Sequence, residues 1–413
     1  MAKPKLALIP SAYKAGGIYS VLPANGVGDF TFTRGTTATR VNSQGLIETV
    51  VTGVPRLNYP LIDGVVNGCP SQLLEPTRQN LVRWNNDLSN TAWQVGQVSR
   101  FANQTISPDG TLNASKAAVT LENNTHWFQQ TFNIGENDVT ISAYVKNIDA
   151  NFIQITNAGN TNAYANFDIQ NGTLGTKGSA MPNPKIEKLP NDWYRISVSV
   201  DNTGFATTFM RFYIVNSASA NFNQGFFPTS AVSLYFWGGQ CELGSFETSV
   251  IPTTTSAVTR SAETAIGSGD SNTFGSEGVL MAEFSTFSTQ SIKSISITDA
   301  AFTKIITLRY STTQVQGLYV NSSNGITYQI NYTLPNVKDF IKAALLYQQG
   351  ALKLYVNGVL RQNIPLVLDT VSDWSTLRFD IGNSTQIFYG NVKQVQSFDE
   401  VLTDAELIKL TTI

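Results

Sequence analysis

One histidine, two cysteines and a charged fraction of only 14% in 413 residues narrow what this chain can do. With His126 as the sole imidazole, a Ser-His-Asp arrangement has a single position to build on, and no G-x-S-x-G elbow accompanies it. His126 is therefore read as structural. Cys69 and Cys241 lie far apart, with no C-x-x-C spacing and no cluster of histidines, which excludes a disulfide framework and a zinc site. Both are read as buried small apolar residues. The formal net charge is −2 and no Lys or Arg run is dense enough to neutralise a phosphate backbone or hold an anionic membrane surface, so nucleic acid is not expected as a partner. No apolar run reaches eighteen residues, and the basic opening Met1-Ala2-Lys3 leads into too short an apolar segment for a signal peptide. Synthesis in a cytoplasm, without membrane insertion, is the expectation.

Signatures of catalysis and cofactors are missing as well. Neither GxxxxGK[ST] nor a Gly-rich strand-to-helix turn occurs. Residues 278–413 lack the E-x-D-x-E alternation that would place carboxylates along one face of a strand. No catalytic residue is assigned, no enzyme activity is expected, and no cofactor is expected. Structural calcium is the one ion considered, with the loop carboxylates Asp87, Asp168 and Asp380 as candidate ligands.

Thr, Ser, Asn, Gly, Val, Phe and Tyr are abundant, a set that suits half-buried pleated surfaces and the turns between them. Period-two alternation with Gly, Asn and Pro at the breaks recurs at residues 125–132, 138–146, 193–200, 208–215 and 232–238, and again at 279–284, 305–310 and 317–320. Asn357-Gly358 marks a hairpin, and Thr403 with Glu406 makes a capping box for a short closing helix. These patterns predict an all-β chain: an N-terminal arm over 1–78, an antiparallel β-sandwich of the jelly-roll kind over 79–252, a Thr/Ser/Gly-rich linker over 253–277 and a second antiparallel sandwich over 278–413 with a short C-terminal helix. The arm carries too few long strands to close a sandwich of its own and needs a neighbouring surface to become ordered.

Three stretches carry a resemblance. Pro4-Lys5-Leu6-Ala7-Leu8-Ile9-Pro10 through Gly16, with Asp29-Phe30-Thr31-Phe32-Thr33-Arg34-Gly35 and Leu73-Leu74-Glu75-Pro76-Thr77-Arg78, resembles the leading segments of tailed-bacteriophage virion proteins of the tail-fibre, head-fibre and decoration class. Asp192-Trp193-Tyr194-Arg195 with Phe236-Trp237-Gly238-Gly239-Gln240-Cys241-Glu242-Leu243 is similar to the carbohydrate-binding-like jelly rolls of such proteins, although Cys241 stands where a typical member has Leu. Tyr355-Val356-Asn357-Gly358, Phe388-Tyr389-Gly390 and Leu402-Thr403-Asp404-Ala405-Glu406 resemble the end of concanavalin-A-like or laminin-G-like sandwiches. The resemblance implies a structural or adhesion protein on a phage particle, made in the host bacterial cytoplasm. Its implied partners are capsid, portal or tail proteins, and the class implies a homo-oligomer, with a trimer favoured.

Two sets of side chains are the candidates for contact. Sugar recognition uses aromatic faces against pyranose rings with amides and guanidiniums on the hydroxyls; Trp84, Trp93 and Trp127 have polar neighbours and are assigned to glycan binding, whereas Trp193, Trp237 and Trp374 sit in apolar strands and are assigned to the core. Arg34, Arg40, Arg56 and Arg78 in or beside the arm are assigned to virion anchoring, as forked donors for a partner's carboxylates or carbonyls. Removing residues 1–78 is accordingly expected to leave a folded remainder. The chain is expected to adhere to host-surface glycans without cutting them; the alternatives are a glycan-degrading hydrolase or lyase and a purely architectural decoration protein.

Overall fold

A computed structural model describes residues 2–12, 16–157, 159–205, 207–368 and 373–413, and nearly all of its regular structure is strand. Tyr13, Lys14 and Ala15 of the leading stretch lie outside the described residues. The helix Asp404–Thr411 begins where the capping box predicts: the Glu406 backbone N–H donates to the Thr403 hydroxyl, and the Thr403 backbone N–H donates to the Glu406 carboxylate.

The middle unit is a sandwich of two six-stranded antiparallel sheets. One runs in the order Gln94–Gly96, His126–Asn133, Thr207–Val215, Phe152–Thr156, Tyr164–Asp168, Thr173–Lys177; the other in the order Val98–Ile106, Leu112–Val119, Ser233–Leu243, Val139–Asn147, Tyr194–Val200, Lys185–Lys188. Because side chains alternate along a strand, Phe128, Phe212, Ile153 and Phe167 from the first sheet meet Ile141, Ile196, Val198 and Phe236 from the second in one core. Phe128 lies directly opposite Phe212 in register, their rings stacked at 5.3 Å, with Phe236 edge-on to both at 5.1 and 5.2 Å. Cys241 is buried here, and burial pushes its thiol up; Cys69 is exposed, contrary to expectation, because it sits in the loop before the strand Ser71–Leu74 rather than in a strand.

The C-terminal unit is also a sandwich, but not of residues 278–413 alone. Its five-stranded sheet comes wholly from that range: Ile326–Thr333, Gln314–Asn321, Lys304–Ser311, Lys293–Asp299 and Trp374–Arg378. The facing eight-stranded sheet takes Val359–Ile364, Ala351–Val356, Ile341–Gln348, Gly278–Thr286 and Gly390–Phe398, then continues into Ser71–Leu74 and Arg56–Asn58 from the arm. Leu6–Leu8 joins the same sheet, pairing with the far end of Gly390–Phe398. Leu6, Leu8, Ile18, Phe30 and Leu74 consequently belong to the same core as Ile295, Leu345 and Phe388. The arm does borrow a surface for its order, and that surface is the chain's own C-terminal sandwich. Asn357 and Gly358 both take positive φ, 51° and 74°, as a two-residue hairpin turn of the primed type demands. The closing helix covers the outer face of the eight-stranded sheet through Leu407, against Met281, Leu346 and Tyr355.

The predicted linker over 253–277 is a structured seam. Val258–Arg260 pairs with Arg78–Asn80, Thr264–Ile266 pairs with Thr31–Thr33, and Ser268 bridges to Leu377. Phe274 enters the C-terminal core. At its centre is a buried ion cluster. Glu263 Oε1 accepts from Arg34 Nη1 and Arg56 Nε, both at 2.8 Å, and its Oε2 accepts from Arg56 Nη2. Glu75 Oε2 lies 2.8 Å from both Arg56 Nη2 and Arg260 Nη1, and the carboxylate accepts from the Ser249 backbone and hydroxyl. Burial disfavours the charged form of Glu75, but Arg260, Arg56 and the Ser249 donors outweigh it and hold the carboxyl at about 2.

Three outcomes follow from this seam. Glu263→Gln leaves the buried Arg34 without its counter-charge and Arg56 with Glu75 alone, and should cost about 3–5 kcal/mol in urea unfolding. Glu75 has its folded value below its ordinary 4.5, so its contribution is complete above that pH and is lost as pH falls toward about 2; acid unfolding of the wild type should show this loss, and Glu75→Gln should flatten it. Deleting residues 1–78 strips three strands from the eight-stranded sheet together with Glu75. The remainder should be insoluble or unfolded on expression, and a soluble, cooperatively unfolding product would show that the seam is dispensable.

Candidate functional site

The sheet that begins at Gln94–Gly96 has one face in the core and one turned out. On the outward side, in register across three strands, lie Gln94, Trp127, Gln129, Arg211 and Tyr213. The side chains are linked: Gln129 Nε2 donates to Gln94 Oε1 at 2.7 Å, Arg211 Nε donates to Gln129 Oε1, and Arg211 Nη1 donates to the Tyr213 hydroxyl at 2.8 Å. The guanidinium carbon of Arg211 lies 4.5 Å from the centroid of Trp127, a cation–π contact, with Phe209 at 5.8 Å. Beneath the indole is Gly96, where any β-carbon would overlap the ring. Arg211 Nη2 has no hydrogen-bond partner among the described residues, and Trp127, Phe209 and Arg211 are half-buried.

The far half of the same face is roofed over. Gln154 and Asn166, fully buried, hydrogen-bond to each other at 2.8 Å and donate to the carbonyls of Asn221 and Ala220, so that residues 216–226 lie across the strands. Tyr213, Val215 and Ala220 pack together under that cover. The open half is thus a guanidinium-on-indole platform with amides on one side and a loop on the other. It can offer hydrogen bonds from Arg211 and the exposed Gln94 and an apolar edge from Trp127 and Phe209.

Of the three tryptophans assigned to sugar, Trp127 alone is on this platform, and the ring face expected to stack on a sugar is occupied by Arg211. Trp93 is a correction. It is 1% exposed, edge-on to Phe128 and Phe236 in the core, with its Nε1–H donated to the Trp84 carbonyl at 3.0 Å. Trp84 is half-buried in a loop at φ 51°, next to Arg83, whose backbone exchanges hydrogen bonds with the Gln130 side chain. Trp193, Trp237 and Trp374 are buried, as assigned.

The arginines assigned to anchoring are corrected too. Arg34 and Arg56 are buried in the ion cluster; Arg40 pairs with Glu48 on the next strand at 2.5 Å; Arg78 lies 4.8 Å from the Phe246 centroid and 3.8 Å from Glu242. All four spend their charge inside the chain. For Arg34, Arg56 and Arg78 the physical reason is the same: a segment must be fastened to another that is distant in sequence, and a forked donor does this where a short strand has little apolar surface, whereas Arg40 holds its own hairpin together.

The other candidate groups are likewise engaged locally. His126 is fully buried, edge-on to Phe226, with its ring nitrogens 3.0 and 3.3 Å from the carbonyl oxygens of Gln97 and Phe226. The calcium candidates do not converge: Asp87 and Asp168 accept from the backbone of their own turns, and Asp380 faces Arg378 at 2.6 and 3.0 Å. Among the described residues no group of three or more His, Cys, Asp or Glu side chains could hold a metal ion. Sequence reasoning missed Arg211, Gln129 and Tyr213. The signal was available, since alternation sends 127, 129, 209, 211 and 213 to the face opposite Phe128, Met210 and Phe212.

No protein-family model matches the chain, and no curated protein matches it. Among solved structures it is similar to the CBM40 of the Ruminococcus gnavus IT-sialidase bound to α2,3-sialyllactose, at 20% identity over 33% of this chain and 82% of that one, with a TM-score of 0.29. It is also similar to domain 4 of AbnA, a GH43 extracellular arabinanase from Geobacillus stearothermophilus in complex with arabinotriose (14% identity, 41% of this chain and 82% of that one, TM-score 0.29). Domains LG4-5 of the mouse laminin α1 chain match at 15% identity over 67% of this chain and 88% of that one, with a TM-score of 0.23. At such identities and scores these likenesses decide neither ligand nor activity.

The placement of the two tryptophans is testable. Trp93→Ala should destabilise the chain by about 3–5 kcal/mol in chemical unfolding, as large-to-small changes of buried aromatics do. Trp127→Ala should cost well under half of that, since one side of the residue already faces solvent; equal losses would refute the assignment.

Proposed function

We propose that this chain is a structural protein of a tailed-bacteriophage particle, of the fibre, spike or decoration class, that adheres to glycans of the host surface without cutting them. The observation that carries the glycan part is the platform on the middle sandwich: Arg211 fixed over Trp127 by Gln129 and Tyr213, with one guanidinium nitrogen uncommitted. Sugar hydroxyls need donors and acceptors held in place, and a clamped guanidinium beside amides supplies them at little cost in side-chain ordering. The particle part rests on the resemblance of three stretches to virion proteins: the leading one, residues 192–195 with 236–243 in the middle sandwich, and the closing motifs of the C-terminal sandwich.

A non-catalytic role is favoured by what the polar groups already do. Glu283 accepts from Gln394, Asp299 accepts from the backbone and hydroxyl of Thr303, and Asp380 is held by Arg378. Each is used in fastening a strand or a turn. Assembly as a homo-oligomer, a trimer by analogy with the class, would multiply weak single-site contacts into firm attachment. Since Arg34 and Arg56 are buried and Arg40 and Arg78 are engaged within the chain, attachment to capsid, portal or tail proteins would use other surfaces.

Probing a glycan array with the purified chain should give a defined set of bound glycans. Arg211→Ala and Trp127→Ala should each weaken part of that set at least tenfold while the chain still unfolds cooperatively; unchanged binding in both variants would remove the platform from the proposal. Antibody-gold labelling of purified particles should mark the particle itself, and label confined to the soluble lysate would refute the virion assignment.

A further inference from the structure

A second concave feature lies where the arm and both sandwiches meet. It is a cleft of about 650 Å³, within the size range of small-molecule and oligosaccharide sites. Tyr59 and Asp63 come from the arm, Glu187 and Lys188 from the edge strand Lys185–Lys188, and Phe287 and Lys338 from the C-terminal unit. We propose that this junction cleft is a second glycan site, distinct from the platform, that takes an uncharged oligosaccharide segment of two or three rings.

Most charges deeper in the cleft are spoken for: Lys185 pairs with Glu247, Arg40 with Glu48, and Glu75 belongs to the buried ion cluster, while Arg195, which has no carboxylate partner among the described residues, lies 5.5 Å from the Tyr144 centroid and donates to the Thr248 carbonyl. Four remain exposed without an ion-pair partner among the described residues, two ammonium groups (Lys188, Lys338) and two carboxylates (Asp63, Glu187). A simple anion or cation would meet like charge as often as opposite charge. Sugar hydroxyls, which both donate and accept, can use ammonium donors and carboxylate acceptors together. The inner wall adds Tyr144, only 4% exposed, whose hydroxyl has no hydrogen-bond partner among the described residues, and the apolar Tyr59 and the stacked pair Phe246 and Phe287 offer ring faces or edges. Desolvation, with Lys185 next, lowers the Lys338 ammonium, which accords with its place against this wall.

A glycan array probed with three forms of the full chain separates this site from the platform: wild type, Arg211→Ala, and the double variant Glu187→Gln/Lys338→Ala. Both altered residues of the double variant are exposed, so its unfolding midpoint should match the wild type. The expected result is a set of uncharged glycans bound equally by wild type and Arg211→Ala and weakened at least tenfold in the double variant. The inference is overturned if Arg211→Ala loses every bound glycan, if the double variant binds as wild type does, or if the set it loses consists only of anionic glycans. In the first two cases the platform reading stands; if wild type binds no glycan, both fall.

Discussion

The architecture depends on two carboxylates, Glu75 and Glu263, buried among three arginines. Burying an ion costs several kcal/mol even after relaxation, and only close pairing with further hydrogen bonds offsets it. Here the pairing joins segments far apart in the chain: Arg34 and Arg56 from the arm, Glu75 directly after its strand Ser71–Leu74, Arg260 and Glu263 from the seam, with Ser249 at the end of the middle sandwich. Remove either carboxylate and one guanidinium, Arg34 or Arg260, loses its paired carboxylate while Arg56 is left with a single one. A cluster of this kind need not make the chain more stable than an apolar contact would, but only one relative placement of the three segments satisfies both carboxylates at once.

That placement explains why strands of three or four residues persist. Leu6–Leu8, Arg56–Asn58 and Ser71–Leu74 are too short to hold a sheet by themselves, yet all join the eight-stranded sheet of the C-terminal sandwich. The seam lies between that sheet and the middle sandwich, so the ion cluster also sets how the two bodies meet. The walls of the junction cleft come from three parts of the chain, and they are preformed only because the arm is fastened on both sides.

Local patterns carried most of the fold into the sequence. Alternation placed the strands of both sandwiches, Asn357-Gly358 placed a hairpin, and Thr403 with Glu406 placed the helix start, each because the deciding residues are neighbours in sequence. The arm and the seam were not legible for the opposite reason. Thr259 pairs with Gln79 and Phe32 with Ala265, contacts between segments roughly two hundred residues apart, and strands of three residues show no period. Ser, Thr and Gly between them read as a linker. Arginine in such segments reads as a surface residue, because nothing nearby in sequence announces Glu263. Trp93 misled in the same way: its neighbours Ala92 and Gln94 look outward, while the indole closes the edge of a core built from Phe128 and Phe236.

The platform shows how little separates a core residue from a contact residue in a sheet. Trp127 sits between His126 and Phe128, both fully buried, and a slip of one residue in pairing would exchange their faces. The register is pinned by Phe128 against Phe212 on the inside and by Gln129 against Arg211 on the outside. Gly96 is the complementary requirement, since only the absence of a β-carbon lets the indole lie down over the neighbouring strand. With the indole flat, its upper face is where a cation gains most, and Arg211 takes it. What faces outward is therefore a guanidinium plane with its direction fixed, a surface that reads hydroxyl geometry more selectively than a bare ring would.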